Sequence, residues 1–146
     1  MYIYELNKRD DDSIDKLYIV WEKSVRASHL FLTENDIVNI AKYVKQALIV
    51  IKHLIVVSIN NEFIGFMGID DRKLEMLFLD PDAVGNGIGR KLIEYGISNY
   101  NINEVSVNEQ NINTYGFYEH MGFRVYNRSE YDELGNNFPI LYMKLL

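Results

Sequence analysis

The stretch from Met76 to Ile93 constrains this chain more than any other part of the sequence. It begins with apolar residues typical of a strand, continues through a turn marked by Pro81, and then carries glycines at positions 85, 87 and 89 before an amphipathic helix. Glycine lets a backbone approach another group closely because no side chain intervenes. A helix N-terminus also presents unpaired N–H groups and the positive end of the helix dipole. The stretch therefore predicts a site for a phosphate or pyrophosphate group.

Two familiar glycine motifs do not fit this stretch. A dinucleotide-binding fingerprint needs a glycine at its sixth position, where the chain has Arg90 when counted from Gly85 and Leu92 when counted from Gly87. A P-loop needs a lysine directly after its last glycine, and Gly89 is followed by arginine. A plain strand-to-helix turn is the remaining alternative. Glycines this dense are unfavourable for that purpose alone, since each costs about 0.5–1 kcal/mol relative to alanine.

Length, charge and cysteine content limit the class of protein. The chain has 146 residues, so we expect one domain spanning residues 1–146. It has no cysteine, which excludes disulfides and a thiolate nucleophile. The formal net charge of −6 argues against a nucleic-acid partner. The N-terminus lacks a signal-peptide pattern, and the apolar region 47–59 is too short to cross a bilayer. We therefore expect a cytoplasmic protein that does not bind membranes.

The pattern of apolar residues predicts a mixed α/β fold. Asp10 and the pair Thr33 and Asp36 are capping signals for two consecutive amphipathic helices, which form an N-terminal αα-hairpin. Asn60-Asn61 is typical of a tight hairpin turn. Two further helices are predicted, one directly after the glycines and one after residue 111. Strand patterns occur at residues 2–6, 54–59, 63–69, 73–79, 104–107, 123–126 and 140–145. The predicted architecture is a mixed central sheet of about seven strands flanked by four helices.

Two segments resemble the GNAT superfamily of N-acetyltransferases. Residues 77–89 are similar to the acetyl-CoA signature of that family, which follows a strand and opens a helix. Residues 111–123 are similar to its second element, in which an Asn precedes Phe-Tyr and Gly-Phe by a fixed interval. Residues 21–32 and 107–111 resemble, more narrowly, a group of small bacterial acetyltransferases of undefined substrate. The order of predicted elements also matches the GNAT fold, so the resemblance covers nearly the whole chain.

The resemblance implies an enzyme that transfers an acyl group, chiefly acetyl, from acetyl-CoA to a primary amine by direct attack, without a metal. It implies that the strand before the glycines supplies backbone N–H groups to the reacting oxyanion and that the glycine loop binds the pyrophosphate. Tyr118 occupies the general-acid position, although one of 11 tyrosines on an amphipathic helix is also a candidate core residue. Asn111 is a candidate for both cofactor binding and helix capping. The implied cofactor site consists of Leu77, Phe78, Leu79, Val84, Gly85, Asn86, Gly87, Ile88, Gly89, Arg90, Asn111 and Tyr118.

The chain departs from the family at two positions. Val84 replaces the Gln or Arg that opens the signature, which leaves Arg90 or Lys91 as a substitute cation. Ser106 stands where many relatives place a glutamate, so the general base is open among His29, Glu109, Asp70 and a water chain. His29 is attractive because an unperturbed imidazole titrates near neutral pH. The resemblance also places the acceptor pocket near the turn between the first two helices, with Trp21, His29 and Phe31 as its candidate walls.

Three further questions stay open at this point. A domain that binds acyl-CoA for regulation, with little or no catalysis, is the alternative function, favoured by Val84 and by the missing acidic base. The acceptor is a small-molecule amine or a peptide N-terminus. Exposed edges on the last strands permit a homodimer without requiring one.

Overall fold

The computed structural model describes residues 1–146 and contains seven strands and four α-helices. Their order confirms the predicted alternation of elements, and most boundaries differ by only one or two residues. The elements are β1 (Tyr2–Glu5), α1 (Asp11–Ser28), α2 (Glu34–Val50), β2 (His53–Ile59), β3 (Glu62–Asp70), β4 (Lys73–Leu79), a 3₁₀ turn (Pro81–Ala83), α3 (Ile88–Tyr100), β5 (Glu104–Asn108), α4 (Ile112–His120), β6 (Phe123–Ser129) and β7 (Ile140–Leu145). None of the helices combines the length and the apolar character needed to cross a membrane.

All strands form one sheet in the order β1-β2-β3-β4-β5-β7-β6. Every neighbouring pair is antiparallel except β4 and β5, which run parallel. β7 lies between β5 and β6, so β1 and β6 are the two edge strands. The mixed sheet predicted from the sequence is therefore confirmed, and its one parallel junction lies at the centre.

Local hydrogen bonds explain why the helices begin and end where they do. The Asp10 carboxylate accepts from the Ser13 amide at the start of α1, and Thr33 and Asp36 form the predicted reciprocal capping box of α2. The guanidinium of Arg9 donates to main-chain carbonyls at the C-terminal end of α2, including those of Leu48 and Ile51. These bonds satisfy backbone groups that helix ends otherwise leave unpaired.

The core has two layers because successive side chains of a strand point to opposite faces of the sheet. On β2, Leu54 and Val56 pack against α1 and α2, whereas Ile55 and Val57 pack against the layer that contains α3. Phe66 of β3 is fully buried in the first of these layers. The αα-hairpin and the helix after the glycines thus cover opposite faces of the sheet.

The parallel pairing of β4 with β5 at the centre of the sheet is short. β4 pairs with β5 only at Lys73 with Glu104 and at Leu74 with Val105. On the other side of β4, Gly68 pairs with Met76 and Ile69 pairs with Leu74, so one residue of β4 has no partner on β3. Such a bulge bends the strand. Beyond it β4 remains paired with β3 and leaves β5, which opens a cleft in the middle of the sheet.

Candidate active site

The cleft between the diverging strands has a volume of about 840 Å³. Its lining comes from six parts of the chain: the C-terminal end of α1, strand β4, the glycine loop with the start of α3, strand β5, helix α4, and the loop between β6 and β7. A cavity of this size accommodates a cofactor-sized ligand. The site is thus built where the central strands separate, and residues distant in sequence meet there.

The glycine loop leads directly into the N-terminal end of α3. Gly85 and Gly87 have φ values of 92° and 76°, a conformation that favours glycine over other residues. Gly87 is the N-cap residue of α3, and no side chain caps the helix. The amides of its first turn are therefore free to donate to a ligand, and Gly85, Gly87, Ile88 and Gly89 all line the cleft. This geometry suits a pyrophosphate.

The other residues predicted around this loop are arranged less uniformly. Val84 and Arg90 line the cleft, but the Arg90 guanidinium also forms an ion pair with Glu94 at 2.9 Å on the surface of α3. Asn86 does not line the cleft, and its side-chain amide lies 3.5 Å from the Ala83 carbonyl oxygen. The loop can therefore bind a ligand mainly through backbone amides, with the Arg90 guanidinium as its single exposed cation.

Gly89 allows ligand binding and protein stability to be separated. A Cβ built at this helical residue would lie 3.5 Å from the Phe117 ring and 3.6 Å from Leu79, which are ordinary contacts. We expect Gly89→Ala to raise the free energy of unfolding by about 0.4–1 kcal/mol, since alanine adopts the helical conformation of this first turn without strain and restricts the unfolded chain. The added methyl group enters the cleft, so the same variant should bind acetyl-CoA more weakly.

Thermal unfolding with and without acetyl-CoA measures both effects. Ligand at a hundred times its Kd should stabilise the wild-type protein by about 2.7 kcal/mol, and the variant by less at the same concentration. Gly116→Ala in α4 is the matched control, because a Cβ there meets nothing within 4 Å and the residue is outside the cleft lining. An unchanged acetyl-CoA response in Gly89→Ala would contradict the placement of the ligand against this turn.

Helix α4 contributes Tyr118 and Asn111. Tyr118 is 3% exposed, lines the cleft, and packs its ring against Phe117 and Phe123. Burial raises the pKa of its phenol well above the ordinary value, so the hydroxyl stays protonated at neutral pH. Asn111 is buried at the N-cap of α4, where its side-chain oxygen accepts from the Thr114 amide at 3.4 Å, and it also lines the cleft. Asn111 therefore caps α4 and also lies where it can contact a ligand in the cleft.

His29 lies at the end of α1 and lines the opposite part of the cleft. The Ser28 hydroxyl donates its only proton to the Ser24 carbonyl oxygen, at 2.7 Å, and its oxygen lies 2.8 Å from His29 Nδ1. Nδ1 therefore carries the imidazole proton and donates to Ser28, which leaves Nε2 as an acceptor. Burial lowers the pKa of His29 to about 4. The ring is neutral throughout the physiological pH range.

This shifted pKa makes stability depend on pH. Because the pKa of His29 is about 4 in the folded protein and about 6.5 in the unfolded chain, the unfolded state takes up a proton first as the pH falls. We expect the free energy of unfolding to fall by about 1–3 kcal/mol between pH 6.5 and pH 4 on account of this residue. Denaturant unfolding of the wild-type protein and of His29→Phe across this range isolates the effect. Parallel curves for the two proteins would contradict a partly buried, neutral imidazole.

Besides Asn86, three residues predicted in the site lie outside the cleft lining. Trp21 is buried in the core between α1 and the sheet, so it does not wall the acceptor pocket. Phe31 packs behind His29, with ring centroids 5.5 Å apart, and supports the imidazole from outside the cleft. Glu109 forms an ion pair with Arg128 at 2.6 Å, which lowers the pKa of its carboxyl group. Glu109 is thus held on the surface by a partner rather than aimed at the cleft.

The structure also brings residues into the cleft that sequence reasoning missed. Glu75 and Met76 of β4 line it, as do Asp132, Glu133 and Leu134 of the loop between β6 and β7. The only sequence signal for Glu75 is a carboxylate at the start of an otherwise apolar run. No group of three or more potential metal ligands is assembled anywhere in the structure.

Comparison with known proteins identifies the family. A family model described as an acetyltransferase (GNAT) domain matches residues 32–145. The chain belongs to the GNAT acetyltransferase family. Its predicted fold, enzyme class and acetyl-CoA co-substrate are therefore confirmed.

Relatives and solved structures agree with this membership. The peptidyl-lysine N-acetyltransferase YjaB of Salmonella typhimurium is 37% identical over 132 residues, covering 87% of this chain and 88% of that protein. The solution structure of apo-form YjaB from Escherichia coli has a TM-score of 0.88 and 34% identity, covering 100% of this chain and 99% of that chain. PaiA N-acetyltransferase from Thermoplasma acidophilum in complex with coenzyme A shares the GNAT fold, with a TM-score of 0.70, 22% identity and 99% coverage of both chains.

Proposed function

We propose that this protein transfers the acetyl group of acetyl-CoA to the side-chain amine of lysine residues in peptides or proteins. The observation that carries the proposal is the similarity to the peptidyl-lysine N-acetyltransferase YjaB, at 37% identity over 87% of this chain. The sequence alone left the acceptor open among small amines and peptide N-termini. The similarity favours a lysine side chain among these primary amines.

The donor half of the reaction uses the features of the cleft. The free amides of the glycine loop and of the first turn of α3 bind the pyrophosphate of acetyl-CoA. Beyond Leu74, β4 has no partner on the side of β5, so alternate N–H groups of residues 77–79 face the cleft. These groups donate to the thioester oxygen as it gains negative charge, and donors already fixed in place need no reorganisation during the reaction.

Transfer is direct. The amine nitrogen attacks the carbonyl carbon of the thioester, the C–N bond forms, and the electron pair of the carbonyl moves to oxygen. The C–S bond then breaks as the carbonyl re-forms, and the Tyr118 hydroxyl gives its proton to the leaving sulfur. Burial raises the pKa of this phenol, and the same dry environment disfavours a free thiolate, so the proton moves toward sulfur as its charge develops.

The acceptor half lies between the end of α1 and the loop joining β6 to β7. Ser24, Ala27 and His29 line it on one side and Asp132 and Glu133 on the other. A lysine side chain is a long apolar stem with a cationic end. Carboxylates at the mouth of the cleft attract that end, and a neutral imidazole inside does not repel it.

Matched peptides test the acceptor class. The first peptide has an acetylated N-terminus and one internal lysine, and the second has a free N-terminus with arginine in place of that lysine. We expect product only from the first, with the added acetyl group located on the lysine side chain by tandem mass spectrometry. Acetylation of the second peptide alone would assign the enzyme to N-terminal amines instead.

A further inference from the structure

A row of aromatic rings runs from the core of the sheet to the loop between β6 and β7. Successive ring centroids in this row are between 5.5 Å and 6.3 Å apart, and its members in order are Phe66, Phe78, His29, Phe31 and Phe138. Phe78 and His29 line the cleft, whereas the other three rings lie outside its lining. His29 is the one member with polar ring atoms. The aromatic row thus places a single imidazole in an otherwise apolar wall of the acceptor half.

One nitrogen of this imidazole has no partner in the protein. Nδ1 lies 2.8 Å from the Ser28 hydroxyl oxygen, and Nε2 makes no hydrogen bond. Every buried side-chain nitrogen and oxygen atom in the structure has a partner, so the unpaired Nε2 is accessible from outside the protein. Because His29 lines the cleft, this nitrogen can meet a ligand there. An unprotonated Nε2 accepts one hydrogen bond from an N–H or O–H group.

His29 lies beside the segment of β4 that faces the thioester. Its ring centroid is 6.3 Å from that of Phe78, and Phe78 is the middle residue of the unpaired segment 77–79. Ser24 and Ala27, on the preceding turns of α1, continue the same side of the cleft. An attacking nitrogen must come within about 3–3.5 Å of the thioester carbon. An amine that reaches this carbon from the side of α1 therefore passes next to the imidazole.

The imidazole can hold an amine without taking its proton. Burial lowers the pKa of His29 to about 4, far below the pKa of a lysine ammonium. Transfer of a proton to the ring would also create a partly buried cation, which burial opposes. A neutral primary amine has two N–H bonds and one lone pair. If one N–H bond donates to Nε2, the lone pair remains free to attack carbon.

We propose that His29 Nε2 accepts a hydrogen bond from the side-chain amine of the acceptor lysine and so directs the amine lone pair at the thioester carbon, an inference that rests on the proposed lysine acceptor. Ser28 is a positioning residue in this arrangement. Its hydroxyl proton is committed to the Ser24 carbonyl oxygen, so it accepts from Nδ1 and fixes the tautomer in which Nε2 is unprotonated. The rings of Phe31 and Phe78 hold the imidazole between them.

His29→Phe tests the contact because it keeps an aromatic ring in the row and removes the acceptor. We expect kcat/KM for the lysine peptide to fall about tenfold, the value of one hydrogen bond between neutral groups. The Kd for acetyl-CoA should stay close to that of the wild-type protein, since the donor half of the cleft is intact. His29→Gln places an amide oxygen near the position of Nε2 and should recover part of the loss. His120→Phe, at the exposed end of α4 and outside the cleft lining, is the matched control and should have wild-type kcat/KM.

Nitrogen-15 NMR of the imidazole separates this contact from a purely structural role. In the complex with CoA, which cannot react, His29 should have a protonated Nδ1 and an unprotonated Nε2, and Ser28→Ala should weaken this preference. Addition of the lysine peptide should shift the Nε2 resonance in the direction expected for an accepted hydrogen bond. The same peptide with norleucine in place of lysine has the apolar stem without the amine and should not produce this shift. A protonated Nε2, or equal shifts with the two peptides, would overturn the proposal.

The wild-type activity distinguishes this inference from the function beneath it. If the wild-type enzyme acetylates the lysine peptide and His29→Phe does so with equal kcat/KM, the contact is overturned and lysine acetylation stands. A His29→Gln variant as slow as His29→Phe would likewise overturn the role of the acceptor atom. A wild-type protein that acetylates no lysine peptide would overturn the proposed function, and the role of His29 with it.

Discussion

Tyr118→Phe is expected to lower kcat for acetyl transfer about 100-fold or more, the scale of general-acid catalysis, while the Kd for acetyl-CoA changes little. The substitution removes one hydroxyl and leaves the ring packed against Phe117 and Phe123. Without that hydroxyl the sulfur must leave as a thiolate from a site that burial has made unfavourable for charge. Steady-state kinetics give kcat, and thermal unfolding with acetyl-CoA gives the affinity.

Tyr115→Phe is the matched control on the same helix. Its hydroxyl donates to the Glu119 carboxylate at 3.1 Å on the surface, away from the cleft lining. We expect this variant to retain the kcat of the wild-type enzyme. Equal turnover in Tyr118→Phe and Tyr115→Phe would exclude Tyr118 as the proton donor to sulfur.

Phe66→Ala is expected to lower the free energy of unfolding by about 3–5 kcal/mol, the usual cost of removing a fully buried aromatic ring. Phe66 lies in the layer between the sheet and the αα-hairpin, and its ring centroid is 5.6 Å from that of Phe78. Phe78 lines the cleft and contacts His29. The substitution therefore removes both core packing and the support behind one wall of the acceptor half.

Denaturant unfolding compares this variant with Tyr43→Ala. Tyr43 is an exposed aromatic residue on α2, so its loss should change the free energy of unfolding by only about 0.5 kcal/mol or less. If Phe66→Ala lowers the free energy of unfolding by less than about 1 kcal/mol, that result would contradict the burial of Phe66 between the sheet and the αα-hairpin. A close-packed core does not collapse to fill so large a cavity.

Local signals in the sequence were sufficient for most of the fold. The Asp10 cap, the Thr33–Asp36 capping box and the Asn60–Asn61 turn each depend on residues only a few positions apart. Gly85 and Gly87 belong to the same group, because their positive φ values follow from the turn they form. The glycine loop is made of such local features, so the sequence predicted its position at the start of α3 together with the fold.

The acceptor half depends on long-range contacts that spacing does not reveal. Glu75 enters the cleft because of the register between β3 and β4 and because β5 separates from β4. Glu109 is unsuitable because Arg128, 19 residues further along, pairs with it. Trp21 satisfies the helical spacing of α1 equally well as a core residue or as a pocket wall, and only the packing of α1 on the sheet decides between them. Whether each of these residues lies in the cleft is therefore decided by tertiary packing.

The most direct test of lysine acetylation by this cleft is the release of free thiol from acetyl-CoA, measured together with acetyl-lysine in the same samples. The account predicts that thiol release requires the lysine peptide, saturates with it, and forms one acetylated side chain for each thiol released. The contradicting result is a protein that acetyl-CoA stabilises against unfolding but that releases no thiol in response to any lysine peptide. That outcome would favour a regulatory domain that binds acyl-CoA without catalysis.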